Sequence, residues 1–257
     1  MIDTAAVAQI VDDAAHTAQA IGQLSETGYA LTLAEAYEVQ AWSMARRVDR
    51  GEKIIGVKMG FTSKAKMVQM GVADLIWGRL TDAMLLEDGG ELNLSNYVHP
   101  RIEPEIVFRL SKPLTGEVTL LEAMAAVDAI APAMEVIDSR YENFKFSLED
   151  VVADNSSSSG LVIGAWQSVP EDISNLGIAM EFNGKPVQVG SSAAIMGNPY
   201  RSLVAAARLA AEAGMVLEKG WVVMAGAATA AEALMPGVHV RMVAEKLGCV
   251  EITVNGE

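Results

Sequence analysis

Three glutamates in strand-like apolar runs are the residues of this sequence best suited to chemistry. Glu103 and Glu105 lie in the segment Arg101-Ile-Glu-Pro-Glu-Ile106, and Glu135 lies in Met134-Glu-Val-Ile-Asp-Ser-Arg140. Because side chains alternate across a strand, Glu103 and Glu105 are expected on one face, about 6–7 Å apart. Carboxylates in apolar surroundings are unfavourable unless a positive charge meets them. The all-oxygen cluster therefore predicts a site for a hard divalent ion, Mg²⁺ or Mn²⁺.

The glutamates also have a simpler interpretation. They would then line a solvated strand face, or pair with the arginines at positions 101, 109 and 140. A Glu-x-Glu pair alone favours this interpretation, whereas a third carboxylate in another apolar strand favours the metal site. The residues by themselves leave both interpretations open.

Two other features bring polar groups into apolar surroundings. Lys58 lies in a strand-like run between Gly56 and Gly60, either as a strand lysine whose ammonium reaches water or as a cation facing an anionic substrate. The segment Asp154-Asn-Ser-Ser-Ser-Ser-Gly160 is flanked by apolar residues. It is either an ordinary loop or a set of hydroxyl and N–H donors that cradles a carboxylate.

The composition excludes several classes of protein. The chain has 257 residues, 51% of them hydrophobic, and a net charge of −14, which favours one globular domain and argues against nucleic-acid binding. The sequence contains no run of eighteen apolar residues, so no membrane span is expected. The start at Met1 does not resemble a signal peptide. The single cysteine, Cys249, is expected to be buried and fits a reducing cytoplasm.

The elements that must position these residues can be predicted in outline. Residues 1–50 show helical periodicity, and residues 51–257 form the expected catalytic domain, rich in strands. Capping boxes at Thr32 and Thr119 begin helices, the second over residues 123–130, and Pro199 begins another. A short helix is expected from Thr62-Ser63 to about Gly71. Strands are expected over residues 105–110, 133–138, 160–166, 221–225, 238–244 and 249–254, with a hairpin at Asn183-Gly184. The fold class is α+β.

Four ordered motifs resemble the fumarylacetoacetate hydrolase superfamily, in its branch of 2-hydroxypentadienoate hydratases and 2-oxo-3-hexenedioate decarboxylases. They are Gly56-Val-Lys-Met-Gly-Phe-Thr-Ser63, Arg101-Ile-Glu-Pro-Glu-Ile106, Met134-Glu-Val-Ile-Asp-Ser-Arg140 and Val152-Ala-Asp-Asn-Ser-Ser-Ser-Ser-Gly160. The resemblance implies a mixed β-sandwich or roll core behind the helical segment. It also implies that Glu103, Glu105 and Glu135 hold Mg²⁺ or Mn²⁺ and that Lys58 acts in the site. From the polar loop we expect Asn155 and Ser158 in catalysis and Ser157 and Ser159 in substrate binding.

Within this branch, Ile76 favours decarboxylation. Hydratases of this branch carry a Pro-Asp-Phe-Gly stretch, whose aspartate is expected to activate the added water. The matching stretch here is Leu75-Ile-Trp-Gly78. Ile76, Trp77 and Leu80 are then expected to form a dry wall around the departing carboxylate of a small dicarboxylate 2-oxo acid. Arg79 is expected either to hold that carboxylate or to form a structural ion pair.

Three alternatives remain beside the decarboxylase. They are a 2-hydroxypenta-2,4-dienoate hydratase, a C–C bond hydrolase of acylpyruvates, and a non-catalytic subunit. The hydrolase needs a water-activating His-Glu pair that the sequence does not show. The resemblance also implies a homo-oligomer in complex with the hydratase of the same pathway.

Overall fold

Five α-helices and two β-sheets form the regular structure of the described residues, 2–63, 67–68 and 74–256, of this computed structural model. Most of the helix expected from Thr62 to about Gly71 lies outside these residues. The helices are α1 (Thr4–Thr17), α2 (Leu33–Asp49), α3 (Leu120–Ala125), α4 (Leu148–Ala153) and α5 (Pro199–Glu212).

The predicted helix starts are confirmed by their capping contacts. At the start of α2, the Glu35 N–H donates to the Thr32 hydroxyl, and the Thr32 N–H donates to the Glu35 carboxylate. Thr119 and Glu122 repeat the arrangement at α3. The prediction that α3 extends to residue 130 was wrong. The chain from Val127 onward pairs with a neighbouring strand, and this ladder overrides the helical propensity of the alanines.

The larger sheet contains the predicted site. Its strands are β1 (Ile54–Gly60), β2 (Ile76–Thr81), β3 (Leu85–Leu86), β5 (Arg101–Leu110), β6 (Val127–Ile137), β7 (Ser158–Ile163), β10 (Val222–Ala227) and β11 (Glu232–Ala233). They are arranged in the order β2-β1-β10-β5-β6-β7-β3, with β11 paired to β5.

The second sheet has five strands, β4 (Glu91–Asn93), β8 (Gly177–Phe182), β9 (Lys185–Ser191), β12 (His239–Ala244) and β13 (Gly248–Asn255). They are arranged in the order β4-β13-β12-β8-β9. The predicted hairpin is confirmed, since Asn183 and Gly184 join β8 to β9 with φ of 51° and 75°. Cys249 is exposed, contrary to expectation, because strand alternation points Val250 into the core instead.

The two faces of the larger sheet have different roles. One face packs on the second sheet and on α5: its buried side chains Met59, Phe108 and Met134 share a cluster with Met242 and Ile252 of the second sheet. The other face carries the glutamates and Lys58 and continues into a smaller apolar cluster around Leu80, Val107 and Leu161. Strand β2 at one end of this sheet approaches β7 near the other end, so the sheet curls toward a roll. The prediction of an α+β sandwich or roll is therefore confirmed.

The N-terminal helices pack against β2 and α4. Val7 and Val11 of α1 and Val39 of α2 share a buried cluster with Ile76 and Val152. The division of the chain at residue 50 stays a prediction, and the shared cluster keeps the two segments in contact. Among the described residues, no helix combines the length and apolar character that crossing a membrane requires.

Candidate active site

The three glutamates lie together on neighbouring strands. Glu103 of β5 is directly opposite Glu135 of β6, and Glu105 follows two residues along β5 on the same face. One carboxylate oxygen from each residue lies within 4.8 Å of the others. Like charges placed directly opposite each other destabilise a sheet. This arrangement is therefore suited to a group that neutralises it.

Burial makes the cluster unusual for carboxylates. Glu105 and Glu135 are fully buried. Burial, with the charges of Glu135 and Glu103, raises the pKa of Glu105 well above its ordinary value. Burial also raises the pKa of Glu135, although the ammonium of Lys58 opposes the rise. Two buried carboxylates that resist ionisation are a typical environment for a cation site.

One oxygen of Glu105 tests whether a metal ion fits. Its Oε2 accepts a hydrogen bond of 2.8 Å from the Gly226 N–H, while no donor among the described residues reaches its buried Oε1. A buried charged oxygen without a partner is costly. A cluster made of carboxylate oxygens suits Mg²⁺ or Mn²⁺. The residues present therefore fit the ion.

Lys58 of β1 faces this cluster. Its Nζ lies 3.2 Å from each carboxylate oxygen of Glu135, and only 3% of the residue is exposed. The register of β1 explains the placement, because Lys58 pairs with Gly78 of β2 and with Met224 of β10 and points to the inner face of the roll. The ammonium is therefore held beside the carboxylates and away from bulk water.

Gly226 is a site residue that we did not assign from the sequence. Its φ of 110° turns its N–H toward Glu105, and a Cβ there would lie 2.3 Å from the Thr62 hydroxyl. A side chain at this position would be strained and would also collide. The small-residue run after β10 is the only signal in the sequence.

A cavity of about 360 Å³ opens next to the cluster. The charged residues of its wall are Lys58, Arg101 and Glu103. The remainder is mostly apolar and comes from Phe61, Ile76, Ile137, Phe144, Phe146 and Val151. The cavity thus joins a charged region to an apolar wall, as expected for a small anionic ligand.

Of the four β2 residues predicted to contact substrate, only Ile76 lines this cavity. Trp77 and Arg79 point to the opposite face because strand side chains alternate. Leu80 shares the face of Lys58, but it is fully buried in the apolar cluster beyond the site. The expectation of a wall containing Trp77 and Leu80 is thus not met.

Arg79 is held away from the cavity. Its Nη1 donates a 2.6 Å hydrogen bond to Gln40 of α2, and its guanidinium lies 4.7 Å from the Trp77 ring centroid. No carboxylate among the described residues pairs with it, so the predicted ion pair is not found either. Burial lowers the pKa of Arg79 to about 10. Its contacts instead attach β2 to α2.

The polar loop divides between several roles. The Asn155 side chain bonds the N–H and C=O of Arg79, at 2.8 and 2.9 Å, and extends the edge of β2 like a strand residue. A Cβ on Gly78 would lie 2.4 Å from the Asn155 carbonyl oxygen, which explains the glycine. Asn155 is therefore not aimed at the cavity, contrary to our expectation.

The serines of this loop also lie in different places. Ser156 and Ser157 line the cavity, and the Ser156 hydroxyl donates to the Trp77 carbonyl. Ser158 is buried, and its hydroxyl helps to lower the pKa of Glu135 against the larger effect of burial. Ser159 lines a separate polar cavity, where Arg140 donates to its hydroxyl. Strand alternation along β7 separates Ser159 from the predicted substrate site.

The chain is similar to known proteins of one family. The family model for the C-terminal part of fumarylacetoacetate (FAA) hydrolase matches residues 53–255. A 4-oxalocrotonate decarboxylase of Pseudomonas sp is 57% identical over 251 residues, which cover 98% of both chains. A 2-keto-4-pentenoate hydratase of Paraburkholderia xenovorans (strain LB400) is 33% identical, over 90% of this chain and 87% of the hydratase.

A solved structure is also similar over nearly the whole chain. It is 4-oxalocrotonate decarboxylase from Pseudomonas putida G7, complexed with magnesium and adipate. It has a TM-score of 0.94 and 40% sequence identity, and the match covers 98% of this chain and 97% of that chain.

Proposed function

This chain belongs to the fumarylacetoacetate hydrolase family, and from that premise we propose that it decarboxylates 2-oxo-3-hexenedioate (4-oxalocrotonate). The products are 2-hydroxypenta-2,4-dienoate and CO2, as in the meta-cleavage degradation of aromatic compounds. One observation carries the proposal: the glutamate cluster and Lys58 border a largely apolar cavity in which Ile76 supplies no carboxylate. Decarboxylases similar to the chain over 98% of its length support it.

The substrate dictates what the site must stabilise. When the bond between C5 and C6 breaks, its electron pair moves into C4–C5, and the C3–C4 double bond shifts to C2–C3. Negative charge then reaches the 2-oxo oxygen, and protonation gives the dienol. Groups that bind this oxygen more tightly as its charge grows lower the barrier to reaction.

The glutamates would hold the ion, and Lys58 would add a second positive charge. When bound, Mg²⁺ or Mn²⁺ supplies a Lewis acid beside the 2-oxo group. Glu103, Glu105 and Glu135 would hold it, because their oxygens already converge. Lys58, beside Glu135, would face the C1 carboxylate or the developing dienolate. Preorganised charge of this kind needs no reorganisation during the reaction.

The apolar wall contributes to the loss of CO2. Ile76, Ile137 and Val151 offer no hydrogen bonds to a carboxylate in the cavity. A partly dehydrated carboxylate is less stable than one in water, so departure as neutral CO2 is favoured. The same wall limits the access of water to the dienol.

The proposal extends to the setting of the enzyme. The dienol product ketonises readily in water, so direct transfer to the pathway's 2-hydroxypentadienoate hydratase within a complex is expected. The single cysteine supports a cytoplasmic location. Light scattering of the protein alone and with the hydratase tests for a homo-oligomer and for this complex.

The activity test uses two substrates and a variant. With Mg²⁺, the wild-type protein is expected to release CO2 from 2-oxo-3-hexenedioate faster than it hydrates 2-hydroxypenta-2,4-dienoate, and EDTA should abolish the release. Ile76→Asp should slow decarboxylation, because it places a hydrated charge in the apolar wall. Ile76→Val is the matched control and should retain most activity. Faster hydration than decarboxylation by the wild type would identify a hydratase instead.

A further inference from the structure

Arg101 is a cation of the cavity that the proposed mechanism does not use. It begins β5, and its side chain lines the cavity together with Lys58, Glu103 and Ile76. It also lines an adjoining surface depression with Pro100 and Leu234. Arg101 is partly exposed, whereas Lys58 is buried. The guanidinium therefore lies at the rim, and the ammonium lies in the interior.

The spacing along β5 relates this cation to the metal ligands. Arg101 is two residues before Glu103, so both side chains leave the same face of the strand. Two strand residues span about 6–7 Å. This length is close to the separation of the two carboxylates in an extended six-carbon dicarboxylate. A ligand with one carboxylate at the glutamate cluster would thus bring the other to Arg101.

Arg101 is also available for a ligand. Among the described residues no carboxylate lies within ion-pair distance of it, whereas Arg109 on the same strand pairs with Asp128 at 2.9 Å. The Arg101 guanidinium lies 4.6 Å from the Phe144 ring centroid. Stacking on an aromatic ring orients the planar group and leaves its edge donors for a carboxylate.

Taking the proposed function as given, we propose that Arg101 binds the distal carboxylate of the substrate and selects dicarboxylates over monocarboxylates. Arg101 thus has the role that the sequence suggested for Arg79, whose guanidinium donates to Gln40 instead. The carboxylate at this end is the one that leaves as CO2. A cation there stabilises the bound substrate, partly offsets the dehydration of this carboxylate by the apolar wall, and loses its partner as CO2 leaves. Arg101 thus acts on KM more than on kcat.

The test compares two six-carbon ligands that differ in one carboxylate. Adipate and hexanoate are titrated calorimetrically into Mg²⁺-loaded wild-type protein and Arg101→Gln. The wild-type protein should bind adipate more tightly than hexanoate. Arg101→Gln should weaken adipate binding by about ten- to hundredfold, the range of a charge-assisted hydrogen bond, and should leave hexanoate binding nearly unchanged. Arg101→Lys should restore part of the loss, since it keeps the charge without the planar fork.

The matched control is Arg109→Gln, at the other end of β5, which should leave both affinities unchanged. In kinetic assays, Arg101→Gln should raise KM for 2-oxo-3-hexenedioate and leave kcat unchanged or higher, because the contact is lost as CO2 leaves. Equal loss of adipate and hexanoate binding, or an unchanged preference for adipate, would overturn the assignment. A wild-type protein that prefers adipate but releases no CO2 would refute the proposed function and leave the role of Arg101 standing.

Discussion

Burial of the Glu105 carboxylate is unfavourable for folding, although the same carboxylate is expected to bind the metal ion. It is fully buried, and burial with the neighbouring carboxylates raises its pKa well above the ordinary value. Glu105→Gln should therefore leave the melting temperature of the metal-free protein unchanged or raise it. It should also reduce the rise in melting temperature that Mg²⁺ produces, since a ligand at 100 times its Kd stabilises a protein by about 2.7 kcal/mol.

Thermal unfolding with and without Mg²⁺ measures this effect. Glu117→Gln is the control, because Glu117 is exposed. A Glu105→Gln protein that is stabilised by Mg²⁺ as strongly as the wild type would show that Glu105 is not a ligand.

Lys58 makes a different prediction, because its partner is also buried. Lys58→Met leaves the Glu135 carboxylate without its ammonium, and breaking a buried pair in this way costs about 3–5 kcal/mol. Bound Mg²⁺ should compensate for most of that loss. Turnover should remain about a hundredfold lower or more, since the lost charge acts on the transition state.

Denaturant unfolding and initial rates, both at saturating Mg²⁺, separate the two effects. Lys53→Met is the control, since Lys53 is an exposed residue at the start of the same segment. If Mg²⁺ restored turnover together with stability, Lys58 would have a structural role only.

At the scale of elements, Asp12 joins the two N-terminal helices. Its carboxylate accepts hydrogen bonds of 2.7 Å from Arg46 Nε and 2.6 Å from Arg50 Nη1, and 1% of its side chain is exposed. Burial raises the pKa of Asp12, but the two arginines outweigh it, so the pKa lies below its ordinary value. The folded state therefore binds this proton less tightly than the unfolded state.

The sign of the pH dependence follows from that shift. The contribution of Asp12 is complete above its unfolded pKa and is lost as the pH falls through the lower folded pKa. Asp12→Asn should cost roughly 1–3 kcal/mol at pH 7 and make the stability less steep on the acid side. Urea unfolding between pH 3 and 7 measures it, with Asp13→Asn as the more exposed control. An Asp12→Asn profile parallel to that of the wild type would contradict the assignment.

The sequence predicts some elements better than others for identifiable reasons. Alternation along β5 depends on local geometry, so it placed Glu103 and Glu105 on one face. The approach of Glu135 depends on the register of β6 with β5, and the sequence indicated it only through the family resemblance. The face of β2 depends on register with β1, which the motif around Trp77 does not contain. Asn155 was misassigned because its partner, the backbone of Arg79, is remote in sequence.

At the scale of the whole molecule, the shared cluster around Ile76 couples the N-terminal helices to the site. Ile76 lines the cavity and belongs to the same buried cluster as Val7 and Val39, so unfolding of α1 and α2 would open the cluster behind the cavity wall. We therefore expect one cooperative transition that includes α2 and β5. Mg²⁺ should raise the opening free energy of both by the same amount, because a ligand of the folded state stabilises everything that unfolds with its site. Hydrogen exchange followed by mass spectrometry, with and without Mg²⁺, measures this for each segment. Amides of α2 that exchange sooner than those of β5 and do not respond to Mg²⁺ would show that residues 1–50 open independently of the catalytic segment.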